Sequence, residues 1–240
     1  MTQFPNSTTA DGIWTLKKVR RAILGENWPV SPTVSAFWGE TVLSIGTSST
    51  NGLDNSTFID RSTNAHTVTP TGNPTQTAFH PYLDNWSVEF DGSGSDYFTL
   101  ANSSEQFVPE AQDFTFETWF YTPDNTRQDI YSSYTASTGF GVAISYDSAG
   151  DILVYNGNTI IINTAGGQWA LNQWNHLAVS RSGTSLKVFM NGVEVASATD
   201  STDFSGTSTL YIGKAGNNNL PFEGYLSNLR LVKGSAVYTS

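Results

Sequence analysis

The chain has 240 residues and a mass of 26.0 kDa, enough for one large domain with a sizeable core or for a domain behind an arm. It contains no cysteine, which excludes a disulfide framework and a thiolate metal site. Its net charge of −10 argues against general nucleic-acid binding, because neutralising phosphates requires clustered Lys and Arg. Charged residues make up only 13%, and the abundance of Gly, Ser, Thr and Asn favours strands joined by turns over helices.

The sequence carries no signal for membrane insertion or export. No stretch approaches 18 apolar residues, and the opening MTQFPNSTTADG lacks the charged and apolar regions of a signal peptide. We therefore expect synthesis in a cytoplasm without membrane insertion. Residues 1–40 carry four basic and three acidic side chains, so the negative charge belongs to the rest of the chain.

The first segment is predicted to be an amphipathic helix over about residues 12–24. Asp11 can cap its N-terminus, and Gly25 lies where a residue with a positive φ is expected to end the helix. The predicted attachment residues on this helix and on the aromatic, proline-rich connector after it are Trp14, Leu16, Val19, Ile23 and Trp28. A helix this short is only marginally stable in isolation, and its apolar face must therefore pack against another protein surface. Packing on its own sandwich and docking into a neighbouring subunit remain the two alternatives.

From about residue 42 the apolar pattern has a period of two, which is typical of strands. The clearest case is residues 114–121, where Phe114, Phe116 and Phe120 alternate with the side chains of the other face. Further β segments are separated by Asp, Gly and Asn turns and lie at residues 141–146, 152–155, 159–163, 174–181, 186–190, 193–198, 210–213 and 225–232. Residues 47–85 show little alternation and are predicted to be long loops around one or two short strands.

Two local patterns predict strand geometry. Asn191-Gly192 between two alternating runs favours a type I′ turn, because both positions accept a positive φ. Leu226 is out of phase with Leu229 and Leu231, which predicts a β-bulge or a strand buried on both faces. Because roughly a dozen predicted strands are separated by turns, the chain is expected to be a β-sandwich or a β-barrel.

Several runs resemble a known family in their order. WNHLAVSRSGTSLKVFMNGVEVASAT, then LYIGKAG and FEGYLSNLRLVKG, resemble the second half of a laminin-G-like, concanavalin-A-like lectin domain. Upstream, FIDRSTNAHTVTPTGN resembles the domain opening, WSVEFDGSGSDYFTL an early pair of strands, and FTFETWFYT a central strand. The resemblance covers about residues 42–238. It implies an all-β, two-sheet antiparallel jelly-roll sandwich over residues 41–240, behind a short helical arm at 1–40.

A second resemblance concerns the arm. ADGIWTLKKVRRAILGENWP is similar to the short segment that precedes such domains in structural proteins of marine bacteriophages. This implies a virion component, either a tail appendage or fibre or a capsid decoration, displayed on the particle surface. Its implied partners are other virion proteins, bound through residues 1–40, and a host surface glycan. We also expect a homo-oligomer.

Glycoside hydrolases share this fold, so a catalytic pair must be considered. Their mechanism needs two carboxyl groups about 5–10 Å apart, one of them protonated. Glu89 and Asp91 offer only half of the expected strand pattern, and Glu117 is isolated. No Gly-x-Ser-x-Gly elbow is present. We therefore expect a non-enzymatic protein, with a glycan depolymerase and a purely stabilising decoration without a ligand as the alternatives.

Residues 88–91 superficially resemble the metal-binding strand of legume lectins, which makes Glu89, Asp91 and Asp96 candidate calcium ligands. Calcium takes six to eight oxygens, and these residues supply only part of that set. A second candidate is a rim site from loop residues: Asp124, Asn125, Asn217, Asn218 and Asn219. Structural turns are the alternative at both places, and no other cofactor is expected.

The candidate ligand-binding residues lie on the central strand. Glu117, Trp119 and Tyr121 share its non-core phase. Sugars stack their apolar faces on aromatic rings while neighbouring polar groups hydrogen-bond the hydroxyls. These three residues are therefore predicted to form a sugar platform, unless the arm or a crossing loop covers that face.

Overall fold

The structure is a computed structural model that describes residues 37–47, 56–81, 86–133, 138–145, 150–216 and 220–240. The predicted helix with Trp14, Leu16, Val19 and Ile23, the connector residue Trp28, and the loop residues Asn217, Asn218 and Asn219 lie outside the described residues. Within the described part of the chain, no helix is long and apolar enough to cross a membrane.

The described residues form one 3-10 turn, Trp38–Glu40, and sixteen strands. In chain order the strands are β1 (Thr41–Thr47), β2 (Phe58–Asp60), β3 (Thr69–Thr71), β4 (Thr75–Thr77), β5 (Ser87–Asp91), β6 (Tyr97–Leu100), β7 (Phe114–Tyr121), β8 (Gln128–Ser132), β9 (Phe140–Ser145), β10 (Asp151–Asn156), β11 (Thr159–Asn163), β12 (Asn175–Ser182), β13 (Ser185–Met190), β14 (Val193–Thr199), β15 (Leu210–Ile212) and β16 (Glu223–Lys233).

The strands form two antiparallel sheets. The nine-stranded sheet runs β14-β13-β12-β7-β16-β1-β2, with β5 also paired to β16 and β4 paired to β5. The seven-stranded sheet runs β11-β10-β9-β8-β15-β6-β3. This arrangement confirms the predicted all-β, two-sheet antiparallel sandwich.

Aromatic rings fill much of the space between the sheets. Phe114 of β7 lies 5.2 Å from Phe140 of β9, and Phe116 lies 5.1 Å from Tyr131 of β8, measured between ring centroids. All four rings are fully buried. The alternation read in residues 114–121 therefore places the phenylalanines in the core and the intervening side chains on the outer face of the nine-stranded sheet.

Two local predictions are confirmed. Asn191 and Gly192 have φ of 51° and 84° and join β13 to β14. In β16, Ser227 is opposite Trp119 of β7 and Arg230 is opposite Glu117, so two residues of β16 lie between these pairs against one residue of β7. This β-bulge adds one residue and brings the buried leucines on both sides of it into phase.

Two features differ from the expectation. The early strands β5 and β6 do not pair with each other, because β5 joins the nine-stranded sheet and β6 the seven-stranded sheet. Strand β8 has no counterpart in the sequence pattern. All five of its residues are buried, so no polar-apolar alternation marks it.

Candidate functional site

The outer face of the nine-stranded sheet carries the three predicted ligand residues, but their surroundings differ. Glu117 is 9% exposed and Trp119 is 3% exposed, with the Trp119 ring 5.0 Å from that of His176. Tyr121, at the end of β7, is half-buried. Of the three, only Tyr121 therefore offers substantial surface to a ligand, and the predicted binding role of the set stays a prediction.

Glu117 is the centre of a buried ionic network. Arg230 Nε donates a 2.6 Å hydrogen bond to its Oε1, Tyr238 donates its hydroxyl to Oε2, and His176 Nε2 lies 3.4 Å from Oε2. Burial alone raises the pKa of Glu117, but these partners outweigh it and lower the pKa to about 2. Glu117 is therefore an ionised carboxylate at neutral pH, unsuited to act as a general acid.

The C-terminal residues 235–239 cover this part of the outer face. Val237 N donates to Thr115 Oγ1 at 2.8 Å, and Lys187 Nζ donates to the carbonyl oxygen of Thr239 at 2.9 Å. The Tyr238 ring packs 6.0 Å from that of Phe189. A covered face was one of the two sequence-based alternatives, and for Glu117 the cover comes from the C-terminal segment.

Beyond this cover, four rings form a cluster that we call the aromatic patch: Phe79, Tyr121, Trp174 and Tyr225. The Phe79 ring lies 4.9 Å from Tyr121, 4.9 Å from Tyr225 and 5.3 Å from Trp174. Phe79 is 43% exposed, and the other three are half-buried. Such ring packing stabilises the cluster and leaves an apolar surface open to solvent.

Each ring is held by backbone geometry. Tyr121 of β7 and Tyr225 of β16 are register partners, and Trp174 immediately precedes β12, the other neighbour of β7. Phe79 follows β4. Its backbone N–H donates to Thr77 Oγ1 at 3.0 Å, and its carbonyl oxygen accepts a hydrogen bond from Ser87 Oγ. The sheet therefore fixes three rings, and the β4–β5 connection places the fourth over them.

Polar groups border the aromatic patch. Tyr225 donates its hydroxyl to Glu89 Oε1 at 3.0 Å, and Tyr121 donates to Asn172 Oδ1 at 3.4 Å. Burial and the nearby Glu89 carboxylate both raise the pKa of Tyr225, so its hydroxyl stays protonated. The Trp174 indole Nε1 is buried and has no hydrogen-bond partner among the described residues. The patch can thus offer stacking surface together with donors and acceptors.

The proposed calcium ligands are engaged separately. Glu89 accepts from Tyr225, Asp91 Oδ1 accepts from Ser93 N at 2.8 Å, and Asp96 Oδ1 accepts from Asn73 N at 2.7 Å. Within the described ranges, no group of three or more His, Asp or Glu side chains is arranged to hold a metal ion. Turn formation accounts for the Asp91 and Asp96 contacts.

Three patch residues were absent from the sequence-based candidates. Trp174 and Tyr225 each lie on the outward phase of a strand, so their positions in the alternation mark them as outward-facing. No comparable signal marks Phe79, which lies in a stretch without alternation. Its place in the patch depends on the pairing of β4 with β5, a contact that periodicity does not reveal.

Comparison with solved structures places the fold. The binding domain of Paraclostridial Mosquitocidal Protein 1 matches with a TM-score of 0.66 and 14% identity, covering 84% of this chain and 51% of that one. The binding domain of Botulinum Neurotoxin DC in complex with SialylT matches with a TM-score of 0.60 and 13% identity, covering 84% of this chain and 50% of that one. Domain 4 of AbnA, a GH43 extracellular arabinanase from Geobacillus stearothermophilus, was solved in complex with arabinotriose. It matches with a TM-score of 0.56 and 19% identity, covering 74% of this chain and 87% of that one.

The chain spans about half the length of the two toxin domains. At these identities the likeness concerns the fold alone. No curated protein matches the chain. Residues 91–236, more than half of the sequence, match the profile of the Concanavalin A-like lectin/glucanases superfamily. The chain therefore belongs to the Concanavalin A-like lectin/glucanases superfamily.

Proposed function

We propose that this chain is a non-catalytic, lectin-like domain that binds carbohydrate on the aromatic patch. The observation that carries the proposal is the Phe79 ring, 43% exposed and packed on three half-buried rings beside a carboxylate. Sugar rings have an apolar face that stacks on such surfaces, and their hydroxyls hydrogen-bond to groups at the rim.

The Trp174 indole N–H, which has no hydrogen-bond partner among the described residues, supports the same reading. A buried donor without an acceptor costs about 1–3 kcal/mol, and a small shift of the indole toward a bound sugar would let a hydroxyl oxygen accept its proton. Glu89 has a second carboxylate oxygen besides the one that accepts from Tyr225, and carboxylates are strong acceptors for hydroxyl donors. Donor and acceptor therefore border the same apolar surface.

The solved relatives agree with this assignment at the level of the fold. One is an arabinanase domain in complex with arabinotriose, and another is a neurotoxin binding domain in complex with SialylT. Because one fold hosts many functions, the aromatic patch is the main support for carbohydrate binding, and the relatives add support by analogy.

A non-catalytic role fits the carboxylates on this face. Glu117 is ionised and held by Arg230, whereas glycoside hydrolysis needs one carboxyl group that stays protonated near neutral pH. Glu89 is bound to a tyrosine hydroxyl. We therefore favour adhesion over depolymerase activity. A depolymerase would release new reducing ends from a polysaccharide, and a decoration protein without a ligand would neither bind nor cleave it.

The biological setting we propose is a bacteriophage virion. The support is the sequence likeness of the arm to segments of phage structural proteins. In this proposal residues 1–40 attach the chain to other virion proteins, copies of the chain form a homo-oligomer, and the sandwich is displayed on the particle surface. Deleting residues 1–36 leaves every described strand in place. The deletion should abolish incorporation into particles while the sandwich still folds, and normal incorporation would refute this part.

Binding is tested by calorimetric titration with a panel of soluble neutral and N-acetylated oligosaccharides. Phe79→Ala and Trp174→Ala should each weaken binding from a few-fold to about tenfold, the value of one lost aromatic contact. Ile160→Ala is the matched control, because Ile160 is 49% exposed on β11 of the other sheet. Equal losses in all three variants, or no binding by the wild type, would contradict the proposal.

A further inference from the structure

The nine-stranded sheet divides at one edge of β16. Strand β5 pairs with residues 223–226, and β1 pairs with residues 230–232 on the same edge, opposite β7. The bulge residues 227–229 lie between these two pairings. In the described part of the chain they pair with neither β1 nor β5, and we call this gap the sheet fork.

A small pocket opens at the sheet fork, with a cavity volume of about 20 Å³. Its inner wall is apolar, and each of these residues is at most 5% exposed: Val88, Phe90, Phe98, Ile212, Leu226 and Leu229. A volume of this size holds one or two water-sized groups. The wall offers them almost no hydrogen bonds, so a methyl group suits it better than water does.

The mouth of the pocket is polar and aromatic. Trp86 and Asn228 line it half-buried, and the more exposed Arg61 side chain joins them. The mouth is internally braced, because Ser227 Oγ donates to the Trp86 carbonyl at 3.0 Å and Asn228 Nδ2 lies 3.3 Å from Ser227 Oγ. Arg61 has five N–H donors and Asn228 has two, and these are the donor groups that the mouth of the pocket presents.

Gly46 of β1 fixes the position of Arg61. A methyl group at Gly46 would overlap the Arg61 side chain, so the guanidinium can lie across β1 toward the pocket only because this residue is glycine. The pocket and the aromatic patch also lie close to each other along β16. Leu226 in the pocket wall directly follows Tyr225 of the patch. Asn228 at the mouth lies three residues after Tyr225, a distance of roughly 10 Å along a strand.

We propose that the pocket binds the N-acetyl group of an amino sugar in the glycan whose neighbouring unit stacks on the aromatic patch. The methyl group enters the apolar cavity, and the acetyl oxygen accepts hydrogen bonds from Arg61 or Asn228 at the mouth. The cavity is too small for a whole sugar ring. Its apolar wall excludes a carboxylate, which would lose its hydration there. This inference rests on the proposed carbohydrate function and names the sugar class.

The test uses the full chain and four titrants: N-acetylglucosamine, glucosamine, glucose and acetamide. Saturation-transfer NMR should give the strongest signal on the acetyl methyl protons of N-acetylglucosamine. Acetamide alone should shift the Trp86 indole signal, assigned with Trp86→Phe.

Gly46→Ala displaces Arg61, and Asn228→Asp removes the amide donors. Each should weaken N-acetylglucosamine binding about tenfold, as expected for a lost hydrogen bond. Gly39→Ala, with no atom within 4 Å of the added methyl, is the control for Gly46→Ala.

The outcomes separate the two proposals. Glycan binding without preference for the acetyl group, or unchanged affinity in Gly46→Ala and Asn228→Asp, would overturn the pocket and leave the patch intact. Oligosaccharide binding that depends on the acetyl group but is insensitive to Trp174→Ala would support the pocket and count against the patch. Absence of binding by every titrant and oligosaccharide would overturn both.

Discussion

Glu117 and Arg230 face each other across β7 and β16, and Arg230 Nε lies 2.6 Å from the Glu117 carboxylate. This pairing depends on the bulge in β16. Without its extra residue, Leu229 would stand opposite Glu117 on the outer face, and the carboxylate would be buried without its cation. The same bulge leaves residues 227–229 at the sheet fork. One inserted residue therefore supports both the covered network and the neighbouring pocket.

Glu117→Gln should destabilise the fold by roughly 3–5 kcal/mol at neutral pH, because Arg230 keeps its burial and loses its counter-charge. The folded pKa of about 2 lies below the ordinary value of 4.5 for a glutamate, so the Glu117 contribution is present above about pH 4.5 and is lost as pH falls toward 2. Urea unfolding from pH 2 to 7 measures both effects. The free energy of unfolding of the variant should fall less between pH 4.5 and 2 than that of the wild type, because the variant has no carboxylate at position 117 to protonate.

The control is Glu194→Gln, which breaks the exposed pair of Glu194 with Lys187, whose ionic atoms are 2.9 Å apart. Exposed pairs contribute little, so stability should not change measurably. A Glu117→Gln variant as stable as the wild type at pH 7 would show that the network does not hold the C-terminal segment in place.

Asp129 should have the opposite pH dependence. It is buried in β8, its Oδ1 has no partner among the described residues, and burial raises its pKa to about 6 despite the Tyr155 hydroxyl and Arg127. A folded pKa above the ordinary value of 3.8 for an aspartate means that its contribution is greatest below about pH 4. Stability then falls as pH rises through about 6.

Asp129→Asn should therefore stabilise the protein at pH 7, on the order of 1–3 kcal/mol, and flatten the stability curve between pH 4 and 7. Thermal unfolding across that pH range measures it. Asp203→Asn, at an exposed loop aspartate, is the control and should leave the curve unchanged. Equal stabilisation at pH 4 and pH 7 would mean that the ionisation of Asp129 is not the cause.

Arg181 ties two loop segments to β12. It is 1% exposed and donates to the carbonyl oxygens of Glu110, Gln112 and Thr202, at 2.8, 2.7 and 2.7 Å, and to Asp200 Oδ2 at 3.2 Å. Lysine keeps the charge but cannot reproduce this planar set of donors. Arg181→Lys should lower the free energy of unfolding by roughly 2–4 kcal/mol in urea, since buried acceptors lose partners. A change no larger than that of Lys187→Arg, at a half-buried site where the charge is also kept, would contradict this role.

The parts of the fold that follow from local pattern were predictable. Alternation marked β7, and the positive-φ preference of Asn191-Gly192 marked the β13–β14 turn. The phase slip between Leu226 and Leu231 marked the bulge. These signals lie within a few residues of one another, and the backbone geometry that they require is local.

The site depends on contacts that a local pattern does not encode. Phe79, Tyr121, Trp174 and Tyr225 meet because β5 and β7 flank β16 and β12 lies beyond β7. The strand phase correctly placed Glu117 on the outer face, but the Tyr238 contact that helps to cover it joins residues 121 positions apart. Non-local cover therefore decides which outward residues remain accessible, and the sequence period cannot report it.

The central claim is that carbohydrate binds on the aromatic patch, and the Trp174 indole N–H is its most direct reporter. Two-dimensional ¹H–¹⁵N spectra, assigned with Trp174→Phe, should show this signal moving as an oligosaccharide from the panel is added, because a sugar stacked on the patch changes the surroundings of this N–H, which has no partner among the described residues. Saturating binding that leaves the Trp174 signal unmoved, with shifts confined to the seven-stranded sheet, would contradict the account.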